Sequence, residues 1–188
     1  MTELPSSHFD TSSWDRRDVI SGGSRMVPVS TPSGEYRVWT RRVGTNPGLK
    51  VLLLHGGPGA TDELYEPFDL WFPKAGIEYY YYYDQLGSFR SDQPDDPSLW
   101  TIERFVDEVE QVRRALGLDR GNFVLFGQSW GGMLAMEYAV HYQQHLKGLV
   151  ISNMMSSSRL YNSYASDVLM PAMSSTSAGC RRPTGQTR

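Results

Sequence analysis

A mostly parallel α/β sheet with helices on both faces is the fold class that this 188-residue sequence predicts, and three observations predict it. Short apolar runs of strand length recur through the chain, notably residues 51–54, 124–126 and 149–152. Stretches with helical spacing separate them, an alternation that favours parallel strands covered on both sides. Two of the runs lead straight into glycine-rich turns, His55-Gly56-Gly57-Pro58-Gly59 and Gly127-Gln128-Ser129-Trp130-Gly131-Gly132.

Taken in order, residues 1–23 are a polar leader rich in Ser, Thr and Asp, and His8 lies within it. The core is expected over 24–155. Met26–Val29 and Tyr36–Val43, joined through Thr31-Pro32-Ser33-Gly34, read as an antiparallel hairpin. Residues 50–54 form a continuous aliphatic run, as in a strand buried on both faces. A short helical stretch near 61–72 and a strand over 77–83 follow. The five tyrosines Tyr79 to Tyr83 favour that strand by β propensity and are assigned to packing, not to an aromatic ligand box.

Thr101 to Leu118 is the clearest helix. Ile102, Phe105, Val106, Val109, Val112 and Leu116 recur at helical spacing, Thr101 suits the N-cap, and Gly117 begins the stop. Glu108, Glu110, Arg113 and Arg114 read as a solvated face without chemistry. A buried strand over 124–126, a helix over 133–140 that is apolar on nearly every side, and a strand over 149–152 complete the core.

The turn at Ser129 is a Gly-x-Ser-x-Gly pattern between a strand and a helix. Such a turn is too tight for bulky neighbours, so Gly127 and Gly131 flank the serine, with Gln128 beside it, and its hydroxyl is left at the strand's carboxyl end. The turn after residues 51–54 sits where acyl transfer needs donors for a developing oxyanion. Backbone N–H groups can meet that charge only where small residues let the chain come close. The expected donors are the amides of Gly57 and of Trp130, with His55, Gly56, Pro58 and Gly59 supporting the loop.

HGGPGAT at 55–61, YYDQLGS at 82–88 and GQSWGGMLAMEYA at 127–139 resemble the proline iminopeptidase family of α/β-hydrolases. The likeness runs from the first strand to about Met173. It implies an α/β-hydrolase fold and a serine aminopeptidase that removes an N-terminal residue, usually proline, from a peptide with a free N-terminus. It implies no cofactor. The family's aspartate and histidine lie late in the chain, beyond a helical cap, and no residue here matches them. The resemblance therefore implies the N-terminal portion of such an enzyme, truncated before the cap and the last strands, with 156–173 as the start of the cap.

The chain's own histidines do not fill the gap. His141 and His145 follow Ser129 by 12 and 16 positions, about 18 to 24 Å along a helix axis. His55 belongs to the glycine loop. Asp84 opens the loop 84–92 as a turn-former and precedes Ser129, whereas the acid of such enzymes follows the nucleophile. Asp167 is the single acid after Glu137. Residues 174–188 lack apolar periodicity and are read as an aberrant or disordered tail, out of frame or otherwise aberrant. These readings predict negligible turnover and an open apolar edge at 149–152.

An esterase or amidase on the same scaffold, or a non-catalytic fragment, stays open at this point, because the motifs activate an acyl carbon without choosing a substrate. A net charge of −3 offers no basic face for nucleic acid. The lone Cys180 excludes an internal disulfide, and no spacing suggests a metal. No apolar run approaches a membrane span and no signal peptide is recognisable, so a cytoplasmic protein of unknown oligomeric state is expected.

Overall fold

Six strands form one sheet in the order β1-β2-β4-β3-β5-β6 in the computed structural model, which describes residues 23–44, 48–77, 79–155 and 157–173. The polar leader up to residue 22, with His8, and the tail 174–188, with Cys180, lie outside the described residues. The strands are β1 (Ser24–Thr31), β2 (Gly34–Gly44), β3 (Lys50–Leu54), β4 (Tyr79–Asp84), β5 (Phe123–Gln128) and β6 (Gly148–Ser152). β1 and β2 are the expected hairpin, and β2 runs antiparallel to β4. From β4 to β6 every pairing is parallel.

Between β3 and β4 the helical stretch is broken into a 3-10 turn at Asp62–Tyr65, the four-residue helix α1 (Phe68–Trp71) and a second 3-10 turn at Pro73–Ala75. The long helix α2 spans Ile102–Ala115, and Thr101 Oγ1 caps it by accepting from the Arg104 N–H at 3.3 Å. Gly117 closes it at φ +62°. The helix after β5 is longer at both ends than its apolar pattern suggests: α3 runs Trp130–Tyr142 and starts on the residue after Ser129. Residues from Met155 onward form a separate compact unit, which holds α4 (Ser158–Tyr164) followed by a wider helical turn at Ala165–Leu169.

Side-chain alternation along the strands divides the core between the two sheet faces. Leu52, Leu54, Tyr81, Tyr83 and Leu125 pack with α2 and α3 through Phe105, Val109, Val112, Leu134 and Tyr138. Val51, Leu53, Tyr80 and Tyr82 pack with Tyr65, Phe68 and Phe72 on the other face. The tyrosine run is thus structural. Tyr80 and Tyr82 donate to Asp69 Oδ1 at 2.5 and 2.7 Å, and Tyr83 donates to Glu108.

The charged face expected of α2 is corrected by the structure. Glu108 and Glu110 are 1% and 2% exposed. Glu108 accepts from Tyr83, from Arg104 and, at 3.0 Å, from the Leu86 N–H. Glu110 accepts from Arg113, Arg114 and Tyr138. Burial alone pushes the Glu110 carboxyl up, but these donors outweigh it and hold it down at about 2. Only Arg114 lies mostly in solvent, and its guanidinium still reaches back to Glu110. Desolvated carboxylates of this kind persist because each oxygen has a partner.

Candidate active site

β3 and β5 are neighbours, yet the chain leaves β3 toward β4 on one side and continues from β5 to β6 on the other. Their carboxyl ends therefore flank a topological switch point, the place where open α/β sheets bind ligands. His55 follows β3 and Ser129 follows β5, so both sequence motifs open onto that crevice.

Ser129 adopts φ 55° and ψ −119°, a backbone conformation that a non-glycine residue keeps only when its surroundings impose it. The surroundings are visible atom by atom. The Ser129 N–H donates to the Ser152 carbonyl at 3.0 Å, and its own carbonyl accepts from Gly132 and Met133 as α3 begins. A Cβ on Gly127 would lie 2.1 Å from the Gly131 carbonyl oxygen, and one on Gly131 would lie 2.0 Å from that of Leu54. Only glycine lets α3 start this close to β3 and β5.

The two glycine motifs touch. A Cβ on Gly56 would meet Gln128 Oε1 at 2.7 Å and Ser129 Cβ at 3.2 Å. Gly57 takes φ +114° and is exposed, and the Gly57–Pro58 peptide is cis. Trp130 is the first residue of α3, so its N–H has no acceptor within the helix. An alcohol on a forced turn, a helix N-terminus and a glycine loop thus share one crevice. Such a group of parts can place a hydroxyl against a carbonyl carbon and offer N–H groups to its oxygen.

His55 is buried and engaged at both ring nitrogens. Nε2 accepts from the Gln85 N–H at 3.0 Å, so the ring proton sits on Nδ1 and is donated to the Gly56 carbonyl at 2.9 Å. Burial holds its pKa below the ordinary 6.5. His141 lies near the far end of α3, and His145 lies 3.4 Å from Glu110 Oε2. Asp84 is fully buried; it accepts from the Arg90 N–H of its own loop at 3.4 Å and also from the Asp62 N–H at 3.0 Å. Burial, with Asp62 alongside, raises its pKa well above the ordinary carboxylate range. Arg90 spans both carboxylates, 2.5 Å from Asp62 and 3.4 Å from Asp84.

Sequence reasoning missed Gln85. It is buried, and its side chain links His55 to Trp130. Also unforeseen is a cavity of about 390 Å³ walled by Pro58, Gly59, Leu86, Trp100, Phe105 and Trp130. Among the described residues no three His, Cys, Asp or Glu side chains cluster as a metal site, and no helix is long and apolar enough to cross a membrane.

With strand order, the Ser129 turn and the glycine loop in place, the chain belongs to the α/β-hydrolase fold family, whose sequence profile matches residues 50–174. Within that family it is similar to proline iminopeptidases. It is 60% identical to the proline iminopeptidase of Flavobacterium johnsoniae over 79% of this chain and 50% of that one. It is 54% identical to that of Chitinophaga pinensis over 77% and 48%. The crystal structure of the Mycobacterium smegmatis proline iminopeptidase superposes with a TM-score of 0.66 at 34% identity, covering 79% of this chain and 49% of that one. The chain thus spans about half the length of the relatives it matches.

Proposed function

We propose that this chain carries the nucleophile half of a serine aminopeptidase that releases an N-terminal residue, proline first among them, from peptides. Ser129 Oγ attacks the carbonyl of the N-terminal residue, and the amides of Gly57 and Trp130 receive the oxyanion. The observation that carries this reading is the contact of the two motifs, with Gly56 pressed against a Ser129 held at φ 55°. The apolar cavity beside Trp130 suits a compact apolar ring next to the scissile carbonyl.

The 188 residues by themselves turn over negligibly. A serine hydroxyl needs a base within about 3 Å, and His55 has both ring nitrogens engaged while His145 sits beside Glu110. Loss of the histidine from a serine protease triad costs about 10⁶ in kcat. The purified chain is expected to leave a proline anilide intact while an active-site phosphonate slowly labels Ser129 and leaves Ser129→Ala unlabelled. Chromophore release abolished by Ser129→Ala would overturn the inactivity. Failure of the phosphonate to label would overturn the nucleophile assignment.

A further inference from the structure

Gln85 follows the end of β4 and is 1% exposed, and its N–H and side chain bond to residues 30 and 45 positions away. Its backbone N–H donates to His55 Nε2, its side-chain Nε2 donates to the His55 carbonyl, and its Oε1 accepts from Trp130 Nε1, each at 3.0 Å. The partners admit one orientation of the carboxamide only. Turned over, its N–H₂ would face the indole N–H and its oxygen would face a carbonyl.

The loop behind Gln85 is itself anchored. The Gln85 carbonyl accepts from the Ser88 N–H at 2.9 Å, the next residue, Leu86, donates its N–H to Glu108, and the preceding Asp84 is held by Asp62 and Arg90. Gln85 is therefore a fixed post between two pieces of chain that differ in origin. On one side is the loop after β3, in which Gly57 stands two residues past His55. On the other is Trp130, whose own backbone N–H opens α3.

Resting on the acyl-transfer reading above, we propose that Gln85 is a positioning residue that sets the separation between the Gly57 and Trp130 amides. Donors stabilise an oxyanion best when they need no rearrangement as charge develops. Bonds from one carboxamide to the His55 carbonyl and to the Trp130 indole limit the relative motion of the two segments that would otherwise be frozen out in each reaction cycle.

The test compares the affinity of the 188-residue protein for an α-aminoalkyl boronic acid, which becomes tetrahedral on a serine, with that for the planar amino acid amide. Gln85→Met is expected to lower the preference for the boronic acid by about 10-fold or more, with amide affinity within about 2-fold. Trp130→Phe, which keeps an aromatic wall but lacks the N–H, is expected to act in the same direction, and the double variant to do no more than the stronger single one. It also serves if Gln85→Met does not fold. In ¹H–¹⁵N spectra the backbone amides of both Gly57 and Trp130 are expected to shift in Gln85→Met. An unmoved Gly57 amide, or additive effects of the two substitutions, would overturn the proposal. If the unaltered protein prefers the boronic acid no more than Ser129→Ala does, the nucleophile reading falls instead, and the Gly57 and Trp130 shifts still decide the role of Gln85.

Discussion

On the β4 side of Ser129 a network of buried polar side chains ties the loops together, whereas on the β6 side apolar surface lies open. Toward β4, the loops 55–62 and 84–92 are stitched to each other and to α2 by His55, Gln85, Asp62, Asp84, Arg90 and Glu108. Toward β6, Leu149, Val150 and Ile151 are about two-fifths exposed, Val140 of α3 is 71% exposed, and among the described residues no strand pairs with the outer edge. The difference divides the chemistry. Under the acyl-transfer role proposed above, the loops that would receive an oxyanion are the ones braced from within this chain.

The sharpest way to break the contrast is to unfasten the braced side. Glu108→Ala leaves the buried Arg104 guanidinium without its carboxylate and removes the acceptor of Tyr83 and Leu86. A loss of about 3–5 kcal/mol is expected in urea unfolding. A smaller effect comes from acid. His55 is neutral in the fold with its pKa lowered from 6.5, so the unfolded chain binds its proton first. Its contribution is complete above pH 6.5 and is lost as the pH falls from there through the lowered value. Asp84, with its raised pKa, carries the opposite sign over the range above its ordinary 3.8. The His55 part is therefore read as the difference in pH dependence between the protein and His55→Gln, whose unfolding midpoint should decline less between pH 7.5 and 5. The smallest effect belongs to the open side. Ile151→Thr is expected to change stability by no more than about 0.5 kcal/mol, because a partly exposed edge position has little burial to lose. A cost above 2 kcal/mol in the same titration would mean that β6 is covered in solution and would erase the contrast.

The sequence made the backbone-driven features legible. Gly127, Gly131 and Gly56 could be singled out because a close approach demands a missing Cβ, a requirement visible in the residue type and its local spacing. The burial of Glu108 was also within reach. It lies three residues after Phe105 and four before Val112, on the apolar stripe of α2, and a charge on that stripe signals an internal partner. Gln85 offered no comparable sign. Its partners are 30 and 45 positions away, and nothing local distinguishes a glutamine that bridges two loops from one that faces water.

The amide of Ser129 hangs on the carbonyl of Ser152, the last residue of the outermost strand. Edge strands fray before central ones, because they are paired on one side only. Were the end of β6 to lift, the serine would lose the acceptor that helps to keep it in its forced conformation. In the nucleophile role proposed above, the set of the Ser129 hydroxyl depends partly on the rim of the sheet, and whatever stiffens that rim would steady the serine without touching it.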